Sequence, residues 1–376
     1  MAHVQKRGTG RYRVRFRDPD KIERSRTFKK KIDADRFAAT VETDIARGTW
    51  ISPDRQQRLF SEYTELWLST LDCKPKTRAS YESILNRWVT PSFGNLSVGN
   101  ITWGAIEKFK ASMIEEGKSA QTIKNALNVL KPILDTAVKD GAIMVSPAAN
   151  ITSPKIPPSK AARFETAETI ISFAATLDKD AELLVLFSAF TGLRAGECGA
   201  LRVKDLSLLG GSITVRESLS EVNGKTQFTL PKNNQMRSVA LPPFLRDRLV
   251  ISLEERKVAS DPEALVFVSS KGDILRHSNF YSRTFKPAIE AFGLKGFRFH
   301  DLRHSCAAML IADGAHPRAI MERFGHSSIT VTLNTYGHLL PGLDEALTDG
   351  LEEQFQKAVS GDPRPVGGLS HIRHSA

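Results

Sequence analysis

Five residues in the second half of the chain are of types that handle an oxyanion. Arg194 lies in Thr191-Gly192-Leu193-Arg194-Ala195-Gly196-Glu197, which reads as a junction between two helices. There Gly192 and Gly196 permit close backbone approach and Arg194 offers a planar fork of donors. In His300-Asp301-Leu302-Arg303-His304, the i, i+3 spacing puts His300 and Arg303 on one helix face, where an imidazole and a guanidinium can grip one phosphate. Gly325-His326-Ser327-Ser328 follows a helix opened by Pro317, and Tyr336 stands ten residues after His326 in Thr335-Tyr336-Gly337-His338. Taken singly, each has a plain structural reading: a histidine beside a surface arginine, or a core tyrosine.

Taken in order, the five suit transfer at phosphorus. A phosphodiester repels nucleophiles with its own charge, and its transition state gathers more on the nonbridging oxygens. Arg194 and Arg303, with hydrogen bonds from His300 and His326, supply donors and positive charge where that charge develops. The Tyr336 hydroxyl is the nucleophile; attacking phosphorus, it forms a phosphotyrosine and releases a deoxyribose hydroxyl. His300 is the expected base toward the tyrosine, and the departing oxygen needs a proton. Since one phosphodiester is exchanged for another, no ATP is required, and neither a cofactor nor a metal is expected.

These residues sit in a chain of 376 residues that is 41% hydrophobic, which excludes a disordered or fibrous protein and predicts two or three domains. Its formal net charge of +11 points to a polyanionic partner. No run of 18 apolar residues is present and the N-terminus lacks a signal-peptide core, so a soluble, cytoplasmic protein with no membrane partner is expected. Cys73, Cys198 and Cys306 are too few and too scattered for a disulfide framework or a zinc site.

The charge concentrates at the N-terminus, where residues 1–31 hold twelve Lys and Arg against three acids. There Arg11-Tyr12-Arg13-Val14-Arg15-Phe16-Arg17 alternates with period two, so a strand turns Arg11, Arg13, Arg15 and Arg17 to one face and Tyr12, Val14 and Phe16 to the other. A turn at Asp18-Pro19-Asp20, a second strand from Ile22 to Phe28 and a helix carrying Phe37, Val41 and Ile45 complete a small module ending near Gly48. Four helices follow, with Thr77, Thr102 and Ser119 as expected N-caps of the last three. The proline-rich, basic stretch from Ser153 to Lys160 reads as a linker. Beyond it come helices through Phe190, then strands over Ser212–Glu217, Thr226–Leu230 and Ser238–Leu241. Helices resume near Ser278 and run to Val359, and the tail from Ser360 to Ala376 has a disordered composition.

The ordered set Arg194, His300, Arg303, His326 and Tyr336 resembles the signature of the tyrosine recombinase (phage integrase) family, including the 23-residue gap from Arg303 to His326. The resemblance implies a multidomain, mainly α protein with small antiparallel β-sheets. Residues 1–55 are similar to an arm-site DNA-binding domain, 58–150 to a helical core-binding (SAM-like) domain and 163–345 to the α+β catalytic domain. Residues 151–162 are then the linker and 346–376 a C-terminal helix and tail. The family also implies a general-acid lysine in a β-hairpin turn; Lys232, in Leu230-Pro231-Lys232-Asn233-Asn234-Gln235-Met236-Arg237, matches it, with Lys225 the alternative. Glu197 matches the family's acidic residue three after the first arginine, where it orients neighbouring groups. A 3′ phosphotyrosine and a free 5′ hydroxyl follow from the same resemblance.

Function and partners follow as expectations: site-specific cutting and rejoining of double-stranded DNA at core and arm sites, integrating a mobile element in the bacterial nucleoid. A homotetramer on DNA is implied, with an excisionase and a host DNA-bending protein as possible further partners. Competing readings are a type IB topoisomerase, a Xer-like resolvase, which normally lacks the N-terminal module, and a non-catalytic DNA-binding relative. Leu343, Leu347, Leu351 and Phe355 recur every four residues, an apolar stripe suited to docking on a neighbour or on its own domain.

Overall fold

The computed structural model describes residues 2–8, 10–157, 163–231, 236–337 and 343–360, with 343–350 as backbone alone. Lys232, part of the linker and the tail from 361 onward lie outside the described residues. The chain forms two compact units, Met1–Ser159 and Lys160–Ala376.

The first unit opens with a three-stranded antiparallel sheet in the order β1 (His3–Lys6), β2 (Tyr12–Arg17), β3 (Glu23–Phe28). β1 escapes the sequence reading because Val4 is its single apolar residue and four residues show no periodicity; its pairing with β2 makes it a strand. Val14 and Phe16 are buried on the face that helix α1 (Lys31–Arg47) covers with Ala34, Ala38 and Val41. Phe37 packs edge-on against Phe16, and α1 stops at Gly48 in the left-handed conformation.

After the short α2 (Pro53–Gln57) come α3 (Phe60–Thr70) and α4 (Pro75–Ile84), the latter running through a π turn at Leu85–Val89 into α5 (Thr90–Phe93). α6 (Trp103–Glu115) and α7 (Ala120–Lys139) complete the bundle, capped as expected by Thr102 and Ser119. Thr77 is not the cap of α4. Pro75 takes the first helical position, where its missing N–H costs nothing, and Lys74 becomes the N-cap. Phe60, Leu85, Ile106, Leu127, Leu130 and Leu134 form the shared core.

The second unit packs α8 (Ala167–Ala174), α9 (Lys179–Thr191) and α10 (Ala195–Ala200) beside two small sheets. One has the order β4 (Leu206–Ser207), β5 (Ser212–Val215), β8 (Arg237–Ala240), and the other is the hairpin of β6 (Ser218–Val222) and β7 (Lys225–Thr229). The three expected strands are thus divided between two sheets. The chain leaves β5 at Arg216 and starts a new strand at Ser218, so β7 and β8, which flank Lys232 in the sequence, belong to different sheets. A helix also precedes the expected restart: α11 (Pro243–Glu255) buries Leu245, Leu249 and Leu253. α12 (His277–Phe280) and a π turn at Tyr281–Phe285 lead to α13 (Lys286–Ala291). Then follow α14 (Phe299–Ala312), α15 (Pro317–Phe324), α16 (Ile329–Tyr336) and α17 (Leu343–Val359).

Candidate active site

The site is assembled where α9 ends, around one buried guanidinium. Arg303, on the first turns of α14, is 2% exposed. One terminal nitrogen donates to the Gly192 carbonyl at 2.6 Å and the other to the Phe324 carbonyl at 2.7 Å, while the Phe324 ring lies 4.2 Å beneath its central carbon. Gly192 is indispensable to this packing. Its φ is +72°, and a Cβ there would fall 2.4 Å from the Phe324 ring. Among the described residues no carboxylate lies within ion-pair distance of Arg303. Burial first, and then the charge of Arg194, push its pKa down to about 9.

Arg194 is the N-cap of α10 and is aimed by Glu197 one turn on. The Glu197 carboxylate accepts from the Arg194 backbone N–H and from its guanidinium, both at 2.9 Å. It also takes both terminal nitrogens of Arg237, at 3.0 and 2.7 Å. Glu197 is almost fully buried, which by itself would raise its pKa, but the bonds and charge of Arg237 and Arg194 outweigh burial and hold it below the usual carboxylate range. Two guanidiniums therefore share one carboxylate. α10 comes this close to β6 because residue 196 is glycine; a Cβ there would meet the Leu219 carbonyl at 2.5 Å.

The remaining predicted residues converge on the same place. His300 reaches solvent on the outer edge of α14, with its ring 5.0 Å from that of His304. Desolvation of its inner side, then His304 and the charges of Arg303 and Arg194, push its pKa down to about 4. His326 follows the left-handed Gly325 that ends α15, and its Nδ1 pairs with the Thr332 hydroxyl at 2.8 Å. Burial, then the Arg303 charge, brings its pKa to about 4 as well. Tyr336 closes α16 at 2% exposure among Cys306, Ile320 and Phe324, and burial raises its pKa to about 12.

One expectation changes. The partner of the Tyr336 hydroxyl is His304, whose Nδ1 lies 2.8 Å away, and not His300, the expected base. One residue decides it: position 304 sits one turn up from 300 on α14, on the side that faces α16. Lys232 lies outside the described residues, while the alternative Lys225 is exposed at the β6–β7 turn. Tyr281, the other tyrosine of this unit, stacks on Phe285 in the main core.

Sequence reasoning missed Arg237, Phe324, His304 and Thr332. Arg237 and His304 stand inside the quoted motifs, so their position was a signal; nothing local marks Phe324, whose partners Arg303 and Gly192 are distant in sequence, and Thr332 pairs with His326 only six residues before it.

The N-terminal arginines form a separate cluster. Arg11, Arg15 and Arg17 are exposed and Arg13 is half-buried, donating to the Ser25 hydroxyl at 2.8 Å. Arg15 is ion-paired with Glu23 of β3. Arg24 and Arg26, across the strand from Phe16 and Val14, share the core side instead, with Arg24 held by Asp18 and Arg26 lying over Phe28 and Phe37.

The chain matches the phage integrase family over residues 161–342 and the N-terminal SAM-like domain of phage integrases over 59–114. The phiRv2 prophage integrase of Mycobacterium tuberculosis is 29% identical over 361 residues, covering 92% of this chain and 94% of that protein. The ICEBs1 integrase of Bacillus subtilis is 27% identical over 372 residues, covering 93% and 99%. Among solved structures, the Tn1549 transposon integrase in complex with transposon right end DNA aligns with a TM-score of 0.66 at 20% identity, over 80% of this chain and 100% of that one. A lambda integrase tetramer bound to a Holliday junction aligns with a TM-score of 0.56 at 19% identity, over 87% and 96%. These two likenesses are of fold.

Proposed function

This chain belongs to the phage integrase family, and from that membership we propose that it is a site-specific DNA recombinase that integrates a mobile genetic element through a phosphotyrosine at Tyr336. The observation that carries the reading is the buried Arg303 guanidinium, bonded to two backbone carbonyls, lacking a carboxylate partner among the described residues and crowded by Arg194. Such a cluster is electrostatically incomplete without an anion, and a scissile phosphate completes it.

In this reading Arg194 and Arg303 bind the nonbridging oxygens and stabilise the charge that grows on them, while His300 and His326, both neutral above about pH 4 in the free protein, donate hydrogen bonds to the same oxygens. The Tyr336 hydroxyl passes its proton to the neutral His304 imidazole, whose Nδ1 lies 2.8 Å away, as its oxygen attacks phosphorus to form a 3′ phosphotyrosine and expel the 5′ oxygen. Lys232 protonates the departing 5′ oxygen, and the reverse reaction with a new 5′ hydroxyl reseals the strand. The partner is double-stranded DNA, the working assembly is a homotetramer on two duplexes, and the place of action is the nucleoid. Residues 1–55 serve as the arm-site module, 58–150 as the core-binding domain and 163–345 as the catalytic domain. The three-stranded N-terminal sheet with its arginine face favours an integrase over a Xer-like resolvase.

The test uses a pool of nicked duplexes with randomised core sequence, in which the short released fragment bearing the free 5′ hydroxyl diffuses away and its loss traps the covalent intermediate. The native protein is expected to give a denaturant-stable protein–DNA adduct that Tyr336→Phe does not form. An adduct that survives this substitution overturns the assignment and directs attention to Tyr281.

A further inference from the structure

Arg237 has no part in the chemistry outlined above, yet it spends its whole guanidinium at the site. Two nitrogens hold the two oxygens of Glu197, at 3.0 and 2.7 Å, and Nε donates to the Arg323 carbonyl at 2.9 Å. The grip is returned: Arg323 donates to the Ala240 carbonyl, at the far end of the strand that Arg237 begins, at 3.3 Å and to the Phe190 carbonyl of α9 at 2.9 Å. The Arg237 side chain is about 10% exposed, and it fills the space beside left-handed Gly325, where a Cβ would meet its Cδ at 3.2 Å.

Three pieces of chain meet at this side chain. One is α10, where Glu197 aims Arg194. Another is the end of α15, where Arg323 precedes Phe324, the support of Arg303, and the Gly325–His326 turn. The third is β8 itself, whose first residue is Arg237. A planar fork with a third donor, Nε–H, in the same plane suits this joint, and lysine does not reproduce it.

We propose that Arg237 is a positioning residue for strand cleavage: it registers β8 against the Glu197–Arg194 pair and the turn carrying His326. The inference rests on the reading of Arg194, Arg303 and Tyr336 as the phosphoryl-transfer site. Arg237 makes no contact with substrate and works through Glu197 and the Arg323 carbonyl.

The experiment uses the full chain and a nicked duplex selected from the randomised pool by covalent capture on the native protein. Arg237→Lys retains the charge beside Glu197 and loses the fork. The single-turnover cleavage rate at saturating DNA is expected to fall at least about tenfold, with the melting temperature and the dissociation constant for the duplex unchanged. In an Arg194→Lys background the same substitution is expected to cost less than about threefold, since the aim it supports is already lost. A second variant pair, Glu197→Gln with Arg237→Gln, removes both buried charges and leaves a neutral hydrogen-bonded contact; it is expected to fold and to cleave slowly. An unchanged rate in Arg237→Lys, a loss that only tracks the folded fraction, or full additivity with Arg194→Lys overturns the proposal. Failure of the native protein to form a Tyr336-dependent adduct overturns the phosphoryl-transfer reading instead, so the two failures are distinct.

Discussion

Tyr336 and the arginines make separable predictions at the scale of single residues. Tyr336→Phe removes only the hydroxyl and its bond to His304, so its stability is expected to fall by about 1 kcal/mol while DNA binding persists and adduct formation vanishes. Arg303→Ala should lower the cleavage rate by several orders of magnitude, measured against an unchanged DNA affinity at saturating duplex. The histidines predict a pH dependence of folding. His300 and His326 have folded pKa values near 4 against about 6.5 in the unfolded chain. The unfolded state therefore binds more protons between those values, so their contribution is complete above about pH 6.5 and is lost as the pH falls toward 4. The melting temperature should drop over that window, and His300→Asn should flatten the fall; an unchanged slope in this variant would count against the neutral imidazole.

Elements decide how these residues meet. The end of α9 can carry Arg303 only because Gly192 leaves room for the Phe324 ring, so Gly192→Ala, with its positive φ and a 2.4 Å clash, is expected to destabilise the second unit by about 1–3 kcal/mol and to reduce cleavage. In the N-terminal sheet the arginine face is partly neutralised by Glu23, which holds Arg15. Glu23→Gln should therefore strengthen binding to arm DNA and steepen its salt dependence by up to about 0.9 in log–log slope, one phosphate contact. Replacing Arg11, Arg13, Arg15 and Arg17 with Gln should flatten that slope while the fold survives, because Val14 and Phe16 still pack on α1. Titration by filter binding at several salt concentrations separates these outcomes, and arm binding unchanged in the quadruple variant would leave the arginines as a solvated face.

For the whole molecule, we propose that the C-terminal helix docks on another copy of the chain. Leu351, Phe355 and Val359 of α17 are 66%, 60% and 67% exposed, so this half of its apolar face is not packed on the chain's own domain. Leu351→Glu with Phe355→Glu is expected to leave melting temperature and adduct formation on a single duplex unchanged and to abolish recombination between two duplexes. Wild-type recombination by the double variant would remove α17 from the assembly. The first unit bears on truncation: Arg55 bonds the Asp140 carbonyl at 2.7 Å and pairs with Asp20 at 2.9 Å, so it belongs to the helical bundle as well as to the N-terminal module. Removing the module before Ser52 should preserve core-site binding better than removal after Arg55.

Spacing and residue type alone determined much of the chemistry. The i, i+3 pair His300 and Arg303, the glycines flanking Arg194 and the alternating arginine strand announce themselves because helix and strand periodicity converts local sequence into a shared face. The same holds for the caps Thr102 and Ser119, where one side chain satisfies a backbone donor three residues away. Only the tertiary structure decided which groups touch across long separations. Nothing near Arg237 in the chain specifies Glu197, forty residues earlier, or the Arg323 carbonyl, eighty-six residues later. The choice of His304 over His300 for Tyr336 depends on which turn of α14 the end of α16 meets, and the division of the strands into two sheets on the break between Val215 and Ser218. Periodicity tells which face of an element turns inward; what that face meets is set by packing among elements remote in sequence.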